Sequence, residues 1–208
     1  MLKDWNRLEQ PSKEEMEQRL KKARARLEQQ QILMKEKKLP VLVLLEGWGA
    51  AGKGSVLGKI IKNIDPRFFK VAVMDEPTEE EARKPFLYRH FIKIPEAGKF
   101  VFMDSGWMSE VTREKLRGAL SEQEDKKKIE SIKRFERQLT DNGYLLMKFF
   151  FQIDEKEQKK RLDKLADDKN TSWRVSEHDV WQNKHYDKCM DVYEQYLCDT
   201  NQSSAPWY

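Results

Sequence analysis

The hydrophobic rhythm of the chain changes near residue 40. From Ser12 to Lys38, apolar residues recur at helical spacing at Met16, Leu20, Ala23, Leu27 and Met34, among mostly polar and charged residues. This one-sided spacing predicts a helix over 12–38. Ser12 is its N-cap, and Glu15, three places on, is its capping-box partner. The stripe is expected to dock on the body of its own domain, with sharing by a partner subunit as the alternative. Pro40 ends the helix and "VLVLLE" follows. A short unbroken aliphatic run suits a strand buried on both faces of a parallel sheet.

The alternation continues down the chain. A glycine-rich turn, "GWGAAGKGS", leads into an expected helix from Lys53 to Asn63, and "FFKVAVMD" (68–75) reads as a second strand. "EEEARKPFLYRHFIKI" is broken by Pro85 and otherwise helical; "GKFVFMD" (98–104) is a third strand. "DKKKIESIKRFERQLTDNG" (125–143) is a helix stopped by Asn142-Gly143, and "YLLMKFFFQI" (144–153) is a fourth strand. Helices are expected near 154–168 and 176–199, around the polar stretch "DDKNTS", and the tail "NQSSAPWY" reads as irregular. Strands alternating with helices argue for the α/β class, an open parallel sheet with helices on both faces. No repeat or linker divides the chain, so one domain is expected over 1–208.

Composition narrows the setting. A chain of 208 residues can bury one proper core. The net charge of +4 is a small difference between 40 basic and 36 acidic residues, so bulk charge gives no case for a polyanion. No basic patch interleaved with aromatics points to nucleic acid. Cys189 and Cys198 have neither metal nor disulfide-frame spacing, and His90, His178 and His185 are scattered. The opening "MLKDWNRLEQ" lacks the apolar core of a signal peptide, and no apolar run approaches membrane-spanning length. A reducing, cytoplasmic setting without membrane attachment is the expectation.

The candidate chemistry sits in the glycine turn. Gly47, Gly52 and Lys53 fit G-x-x-x-x-G-K between a strand and a helix. Glycines let main-chain N–H groups turn inward around phosphate oxygens, and the helix start adds its positive end. Phosphate is therefore expected at Gly47, Gly49, Gly52, Lys53, Gly54 and Ser55, with Lys53 as a mobile point charge. The hydroxyl residue that usually follows the lysine is Gly54 here, with Ser55 one place later, which weakens the normal magnesium ligand. Asp104 ends the third strand and is the first choice for a metal ligand; Asp75, ending the second, competes.

Several separated stretches resemble the polyphosphate kinase 2 family: "EGWGAAGKG", "DPRFFKVAVMDEPTEEE", "PFLYRHFIKIPEAGKFVFMD", "FERQLTDNGYLLMKFFFQIDEKEQKKRL", "SWRVSEHD" and "DTNQSSAPW". The resemblance implies a P-loop kinase-like three-layer α/β/α sandwich with a helical lid. Within it, 41–153 would be the core, 154–175 the lid region and 176–208 a C-terminal helix and tail. It implies phosphate transfer between inorganic polyphosphate and a nucleotide of the AMP, ADP or GDP class, with Mg2+ as cofactor and a homo-oligomer or a second fused domain as partner. Lys53, Asp104 and Arg161 would be catalytic, with Asp104 on the metal and Arg89 on the nucleotide side.

Some positions depart from the family pattern. Gly49 stands where the family has an aspartate, and "DSGWM" (104–108) stands for Asp-Arg-Ser-Trp-Tyr. Glu110 replaces a further arginine, Lys115 another, and Leu165 aligns with a second lid arginine. These losses open an alternative, a catalytically degenerate half of a fused polyphosphate:AMP phosphotransferase, with Glu110 repelling an anionic chain if it points inward. The stop at "APWY", where family members continue into a further helix, fits a fragment. For Arg89 a surface position is the competing reading, for Arg67 a plain turn, and Trp107 and Trp173 are expected to pack.

Overall fold

Val41–Gly47 forms strand β1, and its position explains its lack of polar alternation. Phe69–Val73 forms β2, Phe100–Asp104 β3 and Leu145–Phe151 β4, in a parallel sheet of order β2-β3-β1-β4. β1 is central, paired from Val41 opposite Phe100 on one side and from Val41 opposite Leu145 on the other. Its even positions, Leu42 and Leu44, enter a core with Val101, Met103, Trp107, Ile132 and Leu197. Its odd positions, Val41, Val43 and Leu45, enter a second core with Met34, Leu57, Ile64 and Phe102. Both faces are covered, which gives the three-layer α/β/α arrangement. The computed structural model describes Leu2 and residues 11–208. Apart from Leu2, the signal-peptide reading of residues 1–10 lies outside the described residues.

Helix α1, Lys13–Glu36, begins with the expected capping box, Ser12 accepting from the Glu15 amide and Glu15 from the Ser12 amide. Its docking expectation is corrected. Among the described residues only its C-terminal end packs, through Leu27 and the buried Met34, while Met16 and Leu20 are 43% and 40% exposed. A stripe one residue wide, flanked by charge, offers too little apolar area to hold a long helix down. α2 spans Lys53–Ile61, followed by two short helices, α3 (Glu79–Ala82) and α4 (Tyr88–Phe91). α5, Trp107–Leu116, was not foreseen, and α6, Glu122–Asp141, starts three residues earlier than expected, at a capping box of Ser121 and Glu124. α7 (Glu155–Asp167), α8 (Glu177–Lys184) and α9 (Tyr186–Thr200) complete the order, with a break at His185 in the expected last helix. Among the described residues no helix is long and apolar enough to cross a membrane.

The tail is more regular than expected. Tyr208 donates its amide to Lys148 O at 2.9 Å and accepts from the Phe150 amide at 2.9 Å, so the chain end lies along β4. Beneath it is a fully buried ion pair, Lys148 Nζ to Glu136 Oε2 at 2.7 Å. Burial pushes the Glu136 carboxyl up and the Lys148 ammonium down, and each partner opposes the shift of the other. Glu136 also accepts from Trp107 Nε1 at 3.0 Å and Gln202 Nε2 at 3.1 Å, and Lys148 donates to Thr200 O at 2.9 Å. One carboxylate thus ties α6 to β4, α5 and the tail.

Glu136→Ala strands a buried cation and two donors, and is expected to cost about 3–5 kcal/mol of stability. Adding Lys148→Met should recover part of that loss. Urea unfolding of the two variants checks both statements.

Candidate active site at the glycine turn

Gly47 leaves β1 at φ +120°, where a Cβ would meet Phe151 O at 2.4 Å, so no other residue fits. Trp48 anchors the turn to the end of β4. Its Nε1 donates to Gln152 Oε1 at 2.6 Å and its ring stacks on Tyr186 at 4.1 Å. Ala50 and Gly52, at φ 57° and 100°, then swing the chain so that α2 opens at Lys53. The amides of Lys53, Gly54 and Ser55 form the first turn of α2 and have no acceptor among the described residues. They are donors at the positive end of a helix.

Lys53 folds back over the turn, donating to Gly47 O at 3.2 Å and Trp48 O at 2.9 Å. Burial lowers its ammonium; the carboxylates of Asp104, Glu46 and Asp179 pull the other way, and Arg113 adds to the lowering. Asp104 ends β3 half-buried. Its carboxyl is pushed up by burial and drawn down by Lys53. Among the described residues no three His, Cys, Asp or Glu side chains cluster as a metal site. Asp75 is exposed and lines a different cavity, beside Arg89.

Helices α7 and α8 close over the turn. The Gly49 amide donates to Gln182 Oε1 at 2.9 Å, and Gln158 Nε2 donates to the same oxygen at 2.7 Å and to Gly49 O at 3.3 Å. Arg161 Nη1 donates to Ala50 O and Ala51 O at 3.3 and 3.2 Å. A Cβ on Gly49 would lie 2.1 Å from Asp179 Oδ1, so a carboxylate from α8 occupies the space a side chain at position 49 would need. Of the expected phosphate-binding amides, that of Gly49 is therefore engaged by protein, while those at the helix start are open.

A small cavity of about 50 Å³ remains between Gly47, Gly49, Lys53, Ser105, Arg113 and Asp179. Arg89 is elsewhere. It is buried, not a surface residue, and donates from Nη2 to Asp75 O at 2.6 Å. Glu110 does not stand as a free charge. Its Oε2 is 3.0 Å from His90 Nε2 and 3.7 Å from Arg89 Nη1. Lys115 is turned to Asp125 at 2.5 Å, and Arg67 is held by Asp65 in an exposed turn. Trp107 packs as expected, but Trp173 is 76% exposed, on a short turn of three residues.

Sequence reasoning missed Glu46, Arg113, Arg117, Asp179 and Gln182. Glu46 had a signal: an acid at the end of an otherwise aliphatic, doubly buried strand. It is fully buried and accepts from the Gly106 amide at 2.7 Å and Ser109 Oγ at 2.5 Å. The others become visible only when α5 and α8 are folded against the turn.

Gly49→Ala should lower the melting temperature, because the new methyl meets Asp179. In a double-mutant cycle with Asp179→Ala, the Gly49→Ala penalty should shrink by at least about 1 kcal/mol. A second expectation concerns pH. Burial raises the Glu46 carboxyl against the opposing pull of Ser109, Gly106 and Lys53. A carboxyl raised on folding favours the native state below the ordinary glutamate value of about 4.3, and that contribution is lost as pH rises through the folded value. Glu46→Gln keeps an acceptor for Gly106 and cannot ionise. It should gain stability over the wild type at pH 7, and the gain should vanish near pH 4, as measured by melting temperature against pH.

The family model for polyphosphate kinase 2 matches residues 10–208. A polyphosphate:AMP phosphotransferase of Pseudomonas aeruginosa is 33% identical over 184 residues, covering 88% of this chain and 37% of that protein. An ADP-polyphosphate phosphotransferase of Rhizobium meliloti is 30% identical over 168 residues, covering 81% of this chain and 59% of its own. The chain thus spans about a third to three-fifths of these relatives' lengths. Among solved structures, polyphosphate kinase 2 from Arthrobacter aurescens superposes with a TM-score of 0.85 at 29% identity, covering 91% of this chain and 69% of that one. A Pseudomonas aeruginosa chain superposes at 0.93 with 25% identity, covering 100% of this chain and 45% of that one. With its turn, its sheet and nearly its whole length matched, the chain belongs to the polyphosphate kinase 2 family.

Proposed function

We propose that this domain moves a phosphoryl group between inorganic polyphosphate and a nucleoside mono- or diphosphate. The observation that carries the reading is the set of open amides at Lys53, Gly54 and Ser55, beside the Lys53 ammonium, in a member of this family. The relatives named for AMP and ADP support the acceptor class.

A terminal oxygen of the nucleoside phosphate attacks the end phosphorus of the chain. The bridging P–O bond breaks, and the electron pair leaves on a polyphosphate shortened by one unit. The attacking oxygen is already anionic, so positioning and charge neutralisation carry the step and no general base is needed. The helix-start amides and Lys53 would hold the outer phosphates, for which Lys53 must leave the carbonyls of Gly47 and Trp48. Asp104, half-buried and opposite Lys53, fits one protein ligand of Mg2+, an ion that usually completes its shell with water and phosphate oxygens. When bound it would neutralise phosphate charge. Residues 154–175 act as the lid with α8, and Arg161 would turn from the carbonyls of Ala50 and Ala51 to the transferred group. Arg89 serves the nucleotide side.

The exposed apolar residues Met16, Leu20, Ile32 and Leu33 on α1 favour a subunit or fused-domain partner. Two unpaired cysteines, Cys189 and Cys198, favour a cytoplasmic setting.

With Mg2+ and polyphosphate, the protein should convert at least one of AMP, ADP and GDP to the next higher phosphate. Lys53→Ala should lower that rate at least about 100-fold. Chromatography of the nucleotides reads both, and absence of product from all three with the wild type overturns the reading.

A further inference from the structure

Arg113 and Arg117 lie one turn apart on and just past α5, and they converge on one atom. Arg113 Nη1 and Arg117 Nη2 are 2.8 and 3.1 Å from the same oxygen, Glu76 Oε1. The Glu76 side chain is 59% exposed, on the loop after β2. Burial pushes its carboxyl up, but the bonds and charges of the two arginines outweigh this and hold it low. Two cations thus share one surface carboxylate, and only one oxygen of it.

Behind this clamp is a cavity of about 140 Å³, lined by Arg89, Arg113 and Arg117 together with Asp75, Glu110 and Glu114. It is smaller than the roughly 300 Å³ of a whole small-molecule pocket and has the size of a single oxyanion with a few waters. The Nε atoms of Arg89 and Arg113 are buried without a hydrogen-bond partner, and the Arg89 side chain is only 7% exposed. Of the cavity's acids, Glu114 pairs with Lys128 and Asp75 is exposed, while Glu110 faces His90 and stands 3.7 Å from Arg89 Nη1. Glu81 stands 3.7 Å from Arg89 Nε, beyond hydrogen-bond reach. Arg113 also lines the small cavity beside Gly47, Gly49 and Lys53, and with Ser109 it is common to both spaces.

We propose that Arg113, Arg117 and Arg89 form a second phosphate seat, and that the Glu76 carboxylate is a removable placeholder in it. A phosphate brings three oxygens, enough to take both guanidinium forks and an idle Nε–H at once, which the single shared Glu76 oxygen cannot. The seat adjoins the glycine turn through Arg113, so a phosphate here and one at Lys53 would be neighbours along one transfer path. This inference rests on the proposed function for its choice of ligand, a terminal phosphate of a nucleotide or of a polyphosphate chain.

Calorimetric titration of the whole chain with AMP, and separately with inorganic triphosphate, distinguishes the two sources. Arg113→Gln should weaken one of these ligands about tenfold or more, as loss of a charged hydrogen bond does. Glu76→Gln, on an exposed loop with no fold to upset, should tighten the same ligand several-fold. Lys53→Ala should affect that ligand less than Arg113→Gln does. Loss in the AMP arm assigns the seat to the nucleotide, and loss in the triphosphate arm assigns it to the chain end. The proposal is overturned if Arg113→Gln and Glu76→Gln both bind as wild type, or if Glu76→Gln binds more weakly. It also falls if the wild type binds neither ligand at millimolar concentration. Binding with these responses but without turnover would sink the proposed function and leave the seat standing.

Discussion

A carboxylate at the end of the central strand has no water to solvate it, and the site is arranged by where it finds its donors. Glu46 lies at the carboxyl end of β1, fully buried, and takes the Gly106 amide and the Ser109 hydroxyl. Both donors belong to the start of α5. Leaving a buried carboxylate short of donors is costly, so the orientation of α5 against the sheet is fixed by that need. Gly106 has to be small for the same reason, since a Cβ there would come within 3.1 Å of Glu46 Oε1. Ser105, just before it, adopts φ 59°, an uncommon conformation for a residue with a side chain, and its amide is held by Leu45 O at 3.1 Å. These bonds place the start of α5, with Ser109 and Arg113, beside the glycine turn.

The turn itself is held from the opposite side. Gln158, Gln182 and Tyr193 form a buried chain of hydrogen bonds that ends on the Gly49 main chain, and Asp179 fills the space above its Cα. This packing depends on position 49 having no side chain. An aspartate at 49 would meet Asp179 with α8 in its present place. Gly49 leaves that space to α8. It is the counterpart of a carboxylate that reaches the same space from another helix.

Most of the fold was legible because strand and helix periods are local properties of the chain. Four strands, the α1 capping box and the helix after the turn follow from runs such as "VLVLLE" and from Ser12 with Glu15. α5 escaped because its N-cap is Gly106, held by Glu46 sixty residues away, without a capping side chain of its own. The docking of α1 was misjudged because a stripe gives the direction of an apolar face and not the area it must cover. In the candidate site, the nearness of Lys53 and Asp104 to the turn was readable from spacing. Gln182, Asp179 and Arg113 were not, because nothing near them in sequence marks what they meet in space.

Besides Lys53, α5 brings positive charge to the turn through Arg113. The chain has Ser105 and Glu110 where the resemblance read from the sequence implies arginines, and it carries Arg113 and Arg117 on and just past α5. On a helix, residues three and seven places beyond 110 share its face. Side chains on that face lean toward the helix N-terminus, so a residue covers the turn before its own Cα. Arg113 therefore serves the surface around Ser109 and Glu110, at the end of α5 nearest Lys53, and it borders the cavities on both sides. An arginine at 105 would have to start from a left-handed backbone already fixed by Glu46 and Leu45. One starting from the body of α5 reaches the same region from an unstrained helical position, with Glu76 holding its fork in place.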